Sequence, residues 1–263
     1  MNATDYVKNH YENYDEDGRL AKRDHLPEFL TTMRYVERYL TPGAKVLEIG
    51  AGTGRYTLAL AGMGYDVTAV ELVEHNLEIL KSKIAPGMRV TPLQGNACDL
   101  SFLQNDSFDT VLLLGPMYHL FTEADKKKAL TEALRVLKPG GVLFTAYCVN
   151  DFSMLHLFHN RRIFDILQKG QITEDFHATS VPEYVFELYR KEDIERLTAD
   201  LPAERLHYVG TDMLSYLIGD SIETMTDAEF EEYLRFHFAV CERPDCVGWS
   251  AHVLDVLKKN FEC

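Results

Sequence analysis

Residues 46–54 read Val-Leu-Glu-Ile-Gly-Ala-Gly-Thr-Gly, and the next apolar run, Asp66-Val-Thr-Ala-Val-Glu71, closes on an acid. A strand, a glycine turn, a helix and a second strand ending in a carboxylate form the layout that cradles an adenosine. Bare backbone can approach the ligand closely at such a turn, and Glu71 can accept both ribose hydroxyls in one charge-assisted contact. The chain is therefore expected to bind a nucleoside cofactor.

Glycine spacing narrows the choice. Glycines stand at 50, 52 and 54, and Arg55 occupies the place of the third glycine of a dinucleotide fingerprint. That fingerprint faces a helix N-terminus to a pyrophosphate. A G-x-G-x-G turn suits a nucleoside with no phosphate bridge, of which S-adenosyl-L-methionine is one, and disfavours a nicotinamide dehydrogenase.

Further segments follow in order: Gly95-Asn-Ala-Cys-Asp-Leu100, Phe108-Asp-Thr-Val-Leu-Leu-Leu114 and Leu137-Lys-Pro-Gly-Gly-Val-Leu143. On this series the chain resembles the class I S-adenosylmethionine-dependent methyltransferases of small-molecule type, well over residues 40–150 and loosely elsewhere. The resemblance implies a Rossmann-like α/β fold: a seven-stranded, mostly parallel sheet with an antiparallel C-terminal hairpin, helices on both faces, a helical N-terminal arm and a lid insertion. It also implies methyl transfer to a small molecule by direct in-line displacement without a metal. An aminopropyl or carboxymethyl transferase using the same pocket, and a non-catalytic cofactor-binding protein, stand as alternatives.

The cofactor wall is then Gly50, Ala51, Gly52, Thr53 and Gly54 with Glu71 and Leu72. Glu48 could meet the cofactor's ammonium through water or anchor amides of the turn. By the same resemblance Asn96 accepts the adenine amino group, where the family usually has Asp, and Ala97 offers backbone. Leu114 offers its carbonyl to the methionine ammonium, while Tyr118 and His119 point toward the acceptor. His119 could serve as a base, since imidazole titrates near neutrality, or could simply bond backbone to hold its loop. Tyr6, Tyr11, Tyr14 and Arg19 of the N-terminal arm could close over the methionine end or the acceptor. Gly115-Pro116-Met117 replaces the Asp/Asn-Pro-Pro-aromatic signature of nucleobase and protein-amide enzymes, and supplies no acid of the kind that metal-dependent catechol enzymes carry there.

Four divisions position these residues: an arm and helix over residues 1–40, the cofactor-binding core over 41–150, a lid insertion and helix over 151–204, and C-terminal strands with an inserted helix over 205–263. Strands are predicted at 45–49, 66–71, 88–93, 108–114, 142–148, 205–210 and 250–257. Helices are predicted from 25 to 40, 53 to 63, 74 to 84, 122 to 137, 152 to 169, 190 to 201 and 227 to 240, with the first 23 residues a mobile or weakly helical arm.

Charge excludes one class of partner. With 41 acidic against 27 basic side chains the net charge is −14, which repels phosphate backbones, so nucleic acid is not expected. Five cysteines, an odd number, with no leader or long apolar run, fit a cytoplasmic protein with no membrane partner. Monomer and homodimer stay open. His237, Cys241, Cys246 and His252 invite a zinc reading, but the spacing matches no familiar finger or ribbon, and a packed helix-to-strand corner is the expected reading.

Overall fold

The computed structural model describes residues 2–12, 14, 17–18 and 22–261. Within them one sheet runs through the molecule. It comprises β1 (Lys45–Ile49), β2 (Asp66–Glu71), β3 (Val90–Gln94), β4 (Phe108–Leu113), β5 (Leu137–Val149), β6 (Leu188–Tyr189), β7 (Ala203–Gly210) and β8 (His252–Lys259). The order is β3-β2-β1-β4-β5-β8-β7, with β6 pairing β5 outside this path. Strands β1 to β5 run parallel, whereas β8 pairs antiparallel with both β5 and β7. This is the Rossmann-like arrangement with eight strands rather than seven. The additional strand, β6, is two residues long and joins Cys148 and Val149 as the chain returns from the segment after β5, too short to leave a periodic signal.

Alternation along the central strands sends successive side chains to opposite layers. On one face Leu47, Ile49, Val111 and Leu113 pack against Leu130, Ala133 and Leu134 of the helix Glu123–Val136, whose N-cap Thr122 accepts from the Asp125 main-chain N–H. On the other, Val46, Leu112, Phe144 and Val256 meet Met33, Val36 and Leu60, carried by α2 (Leu26–Tyr39) and α3 (Arg55–Gly62). Each such fully buried Leu or Ile contributes roughly 1.5–3 kcal/mol. At the C-terminal end, Arg205 on β7 grips the buried Asp255 of β8 with two parallel bonds of 2.7 and 2.9 Å, the pairing a buried carboxylate requires.

Boundaries differ from expectation in instructive places. The fifth strand begins at Leu137, not Val142, because Lys138 to Gly141 form a bulge against β4: Phe108 pairs with Leu137, then Thr110 with Val142. The single helix expected over 152–169 is two, α6 (Asn150–His159) and α7 (Ile163–Gln168). Arg161 adopts φ 58° between them, and the Arg162 N–H closes on the Leu157 carbonyl at 2.8 Å, a left-handed helix end that usually announces itself with glycine. The arm contains an ordered helix, α1 (Ala3–Glu12).

Chain direction decides where a ligand can bind. From β1 the order runs outward through β2 and β3 on one side and from β4 on the other. The crevice beyond the C-terminal ends of β1 and β4 is the switch point at which such sheets take ligands. No helix among the described residues is long and apolar enough to cross a membrane.

Candidate functional site

A cavity of about 1050 Å³ opens at that crevice. Its floor is the glycine turn after β1; α1 and the segment between β5 and β6, including Phe152, Leu157, Ile172 and Phe186, line it from the other side. The turn is locked by sterics. Gly50, Gly52 and Gly54 all have positive φ, at 79°, 54° and 94°. A Cβ on Gly50 would stand 2.6 Å from Pro116 Cδ and one on Gly54 2.2 Å from Leu80 Cδ1, whereas one on Gly52 would meet nothing within 4 Å. Gly50 and Gly54 thus permit packing, and Gly52 leaves space in the cavity wall.

Glu71 ends β2 against this turn. Its Oε2 accepts the Gly52 N–H at 2.7 Å and its Oε1 the Val73 N–H at 2.8 Å. Burial raises its pKa, opposed by these backbone donors and by the Asn76 side chain. The carboxylate therefore holds the turn's shape as well as facing the cavity. Glu48 is fully enclosed, and burial lifts its pKa to about 8 despite bonds from the Thr57 hydroxyl and N–H. Its partner is the first turn of α3 rather than the amides of the glycine turn, because Gly50 and Ala51 already donate to the Val70 carbonyl. Thr53 turns its hydroxyl to Asp17 at 2.5 Å, and Lys83 bridges to the same carboxylate.

Asn96, Ala97, Leu72 and Leu114 line the same cavity. The Asn96 side-chain oxygen accepts the Cys98 N–H at 2.9 Å, leaving the second lone pair of the amide oxygen for a ligand. Tyr14 lines the cavity and stacks on His10; Arg19 lies outside the described residues.

Tyr118 and His119 follow β4 on a short turn. His119 Nδ1 donates to the Val185 carbonyl at 2.8 Å, so its Nε2 is the acceptor for the Tyr11 hydroxyl at 3.0 Å. Burial lowers its pKa from 6.5 to about 4, which makes it a neutral strut between turn, lid and arm at ordinary pH. Burial and the surrounding acids push the Tyr118 phenol well above its usual range.

The four residues of the zinc reading do not assemble. His237 Nε2 bonds Thr31 Oγ1 at 2.7 Å, Cys241 lies 3.7 Å from the Tyr35 hydroxyl, and His252 pairs with Asp212 at 2.6 Å. His252, which sequence reasoning left as packing, instead lines the cavity beside Glu28, Tyr118 and Tyr216. Asp212 and Glu28 were missed altogether. They lie on different elements, in no local motif, and only the end of β7 and the first turn of α2 bring them to His252.

Comparison with known proteins agrees with this fold. Residues 46–141 match the family described as "Methyltransferase domain". The chain is 35% identical over 128 residues to a demethylmenaquinone methyltransferase of Clavibacter sepedonicus, covering 49% of this chain and 49% of that protein. It is 38% identical over 104 residues to one of Staphylococcus aureus, covering 38% and 42%. The chain thus spans about half the length of the curated relatives it matches. In fold it is similar to a Thermotoga maritima protein described as an S-adenosylmethionine-dependent methyltransferase, possibly acting on histamine, with TM-score 0.60, 20% identity, and coverage of 98% and 100%. A putative methyltransferase of Haloferax volcanii, solved with its activator, aligns at TM-score 0.63 and 16% identity over 97% and 98% of the two chains.

Proposed function

We propose, from the match of residues 46–141 to the methyltransferase-domain family, that the chain is an S-adenosyl-L-methionine-dependent methyltransferase acting on a small molecule. The observation that carries this reading is the apposition of Gly52 and Glu71 in one cavity wall, with open space over the glycine and a buried carboxylate beside it.

The residues fit the group. Glu71 would hold the ribose, Asn96 and Ala97 the adenine edge, Leu72 the sugar face, and the Leu114 carbonyl and Tyr14 the methionine end. When bound, the cofactor supplies a methyl on a sulfonium, open to direct in-line displacement with no metal. The chain's contribution is to hold the reactants at a reacting distance of roughly 3 Å. The segment 150–188 and α1 overlie the cavity, and His119 joins them by bonding both Val185 and Tyr11.

A small acceptor is supported by the size of the cavity, about 1050 Å³, and by the −14 net charge, which disfavours nucleic acid, and the curated relatives are named demethylmenaquinone methyltransferases. Equilibrium dialysis with S-adenosylhomocysteine tests the pocket, and failure to retain it would end this reading. Incubation with methyl-labelled cofactor and analysis of products tests the reaction. S-adenosylhomocysteine with a methylated acceptor is expected, while methylthioadenosine or a carboxymethylated product would indicate the related transferases.

A further inference from the structure

We propose that His252, aligned by Asp212 and flanked by Glu28, takes the proton of an acceptor that carries an aromatic hydroxyl. This deepens the methyltransferase reading and rests on it.

The arrangement is built, not incidental. Asp212 is fully buried, and the contacts of its carboxylate hold it in one orientation. Its Oδ1 accepts the Ser250 hydroxyl at 2.7 Å and the His252 N–H at 3.0 Å, and its Oδ2 pairs with His252 Nδ1 at 2.6 Å. Ser250 is itself fixed, since its oxygen accepts the Met213 N–H at 2.8 Å. With Nδ1 committed to Asp212, Nε2 is the remaining nitrogen of a ring that lines the cavity. A carboxylate on Nδ1 sets the tautomer and stabilises the imidazolium formed when Nε2 takes a proton. Glu28 adds a second negative charge 3.9 Å from Nδ1 and is steadied by the Tyr216 hydroxyl at 3.1 Å.

The groups facing His252 come from every packed element: Glu28 from α2, Asp212 and Tyr216 from the segment after β7, Tyr118 from the turn after β4, and Cys148 from β5. Burial opposes charge on the ring, but Glu28, Asp212 and Cys148 outweigh it and hold the pKa well above 6.5. His119 offers the contrast, being kept neutral with both nitrogens bonded.

The acceptor class follows from the walls. Tyr118 and Tyr216 present rings to His252, with Phe152 packed edge-on against Tyr216, suited to a flat ring, and Glu28 and Asp212 disfavour a ligand that enters already charged, such as a carboxylate or phosphate. An aromatic hydroxyl enters neutral. Its O–H bond breaks with the electron pair left on oxygen, the proton forms the Nε2–H bond, and a proton already on His252 leaves to solvent beforehand. The product is a phenolate beside an imidazolium.

The probe is 4-nitrophenol, whose phenolate is coloured, added to the full chain saturated with S-adenosylhomocysteine at a pH where the free probe is mostly protonated. Bound probe is expected to absorb as phenolate, with about one proton released per site in calorimetry across buffers. In His252→Gln the bound probe should absorb as phenol with no proton release. Asp212→Asn should lower the His252 titration measured by NMR; should that variant not fold, Glu28→Gln serves, with a smaller shift in the same direction. Equal phenolate signal in wild type and His252→Gln, no binding of the probe, or a proton release requiring a divalent cation and abolished by chelator would overturn the proposal. Failure of the wild type to bind S-adenosylhomocysteine would instead remove the functional reading beneath it.

Discussion

Replacing Glu71 by alanine separates two tasks that one carboxylate performs. Toward a bound nucleoside it would contribute charge-assisted hydrogen bonds, together worth about 1.5–3 kcal/mol, so Kd for S-adenosylhomocysteine should rise ~10- to ~150-fold. Toward the protein it satisfies the N–H groups of Gly52 and Val73 at 2.7 and 2.8 Å. Each donor left without a partner costs about 1–3 kcal/mol when buried, and for a chain of this size Tm falls by roughly 2–4 °C per kcal/mol. Because Gly52 borders a water-accessible cavity, water can replace part of the lost bonding, which places the stability loss toward the lower end. Glu71→Gln should not rescue either task, since its single amide oxygen can serve one backbone donor while its NH₂ opposes the other. The assay is isothermal calorimetry with S-adenosylhomocysteine, paired with thermal unfolding. An unchanged Kd in a folded Glu71→Ala protein would refute the ribose role, and an unchanged Tm would refute the role in the turn.

Other consequences are equally direct. Gly52→Ala should fold, at a penalty of about 1–2 kcal/mol for a left-handed alanine, yet lose cofactor affinity in the same calorimetry, whereas Gly54→Ala should lower Tm further, because its Cβ would press on Leu80 at 2.2 Å. Glu48 holds its proton in the folded state up to about pH 8 against an ordinary 4.5, so between these values the native state binds more protons and stability falls as pH rises; Glu48→Gln should flatten that slope in Tm measured against pH. His119 and His237 run the other way. Both are lowered to about 4 from 6.5, chiefly by burial, so the unfolded state binds more protons in that window and stability is lost as pH falls through it. His119→Asn should remove its share of this slope and, as a lost strut, reduce turnover while sparing affinity for S-adenosylhomocysteine.

Local chemistry written in consecutive residues was legible from the sequence alone. Strands β1 and β2 match their predicted limits, as does the helix Asp227–Val240, because apolar periodicity is a local signal. The glycine turn and Glu71 were legible for the same reason, since a left-handed turn demands glycine whatever surrounds it. The break at Arg161 and the two-residue β6 carried no such signal, being settled by lid packing. What only the tertiary structure decided is which nitrogen and which oxygen meet across the chain. Thr53 faces Asp17, His119 is braced by Val185 and Tyr11, and His252 meets Asp212 and Glu28 from opposite ends of the sequence. Ionisation depends on burial and on neighbours at a few ångströms, and distances of that kind arise only when separate elements converge on one cavity.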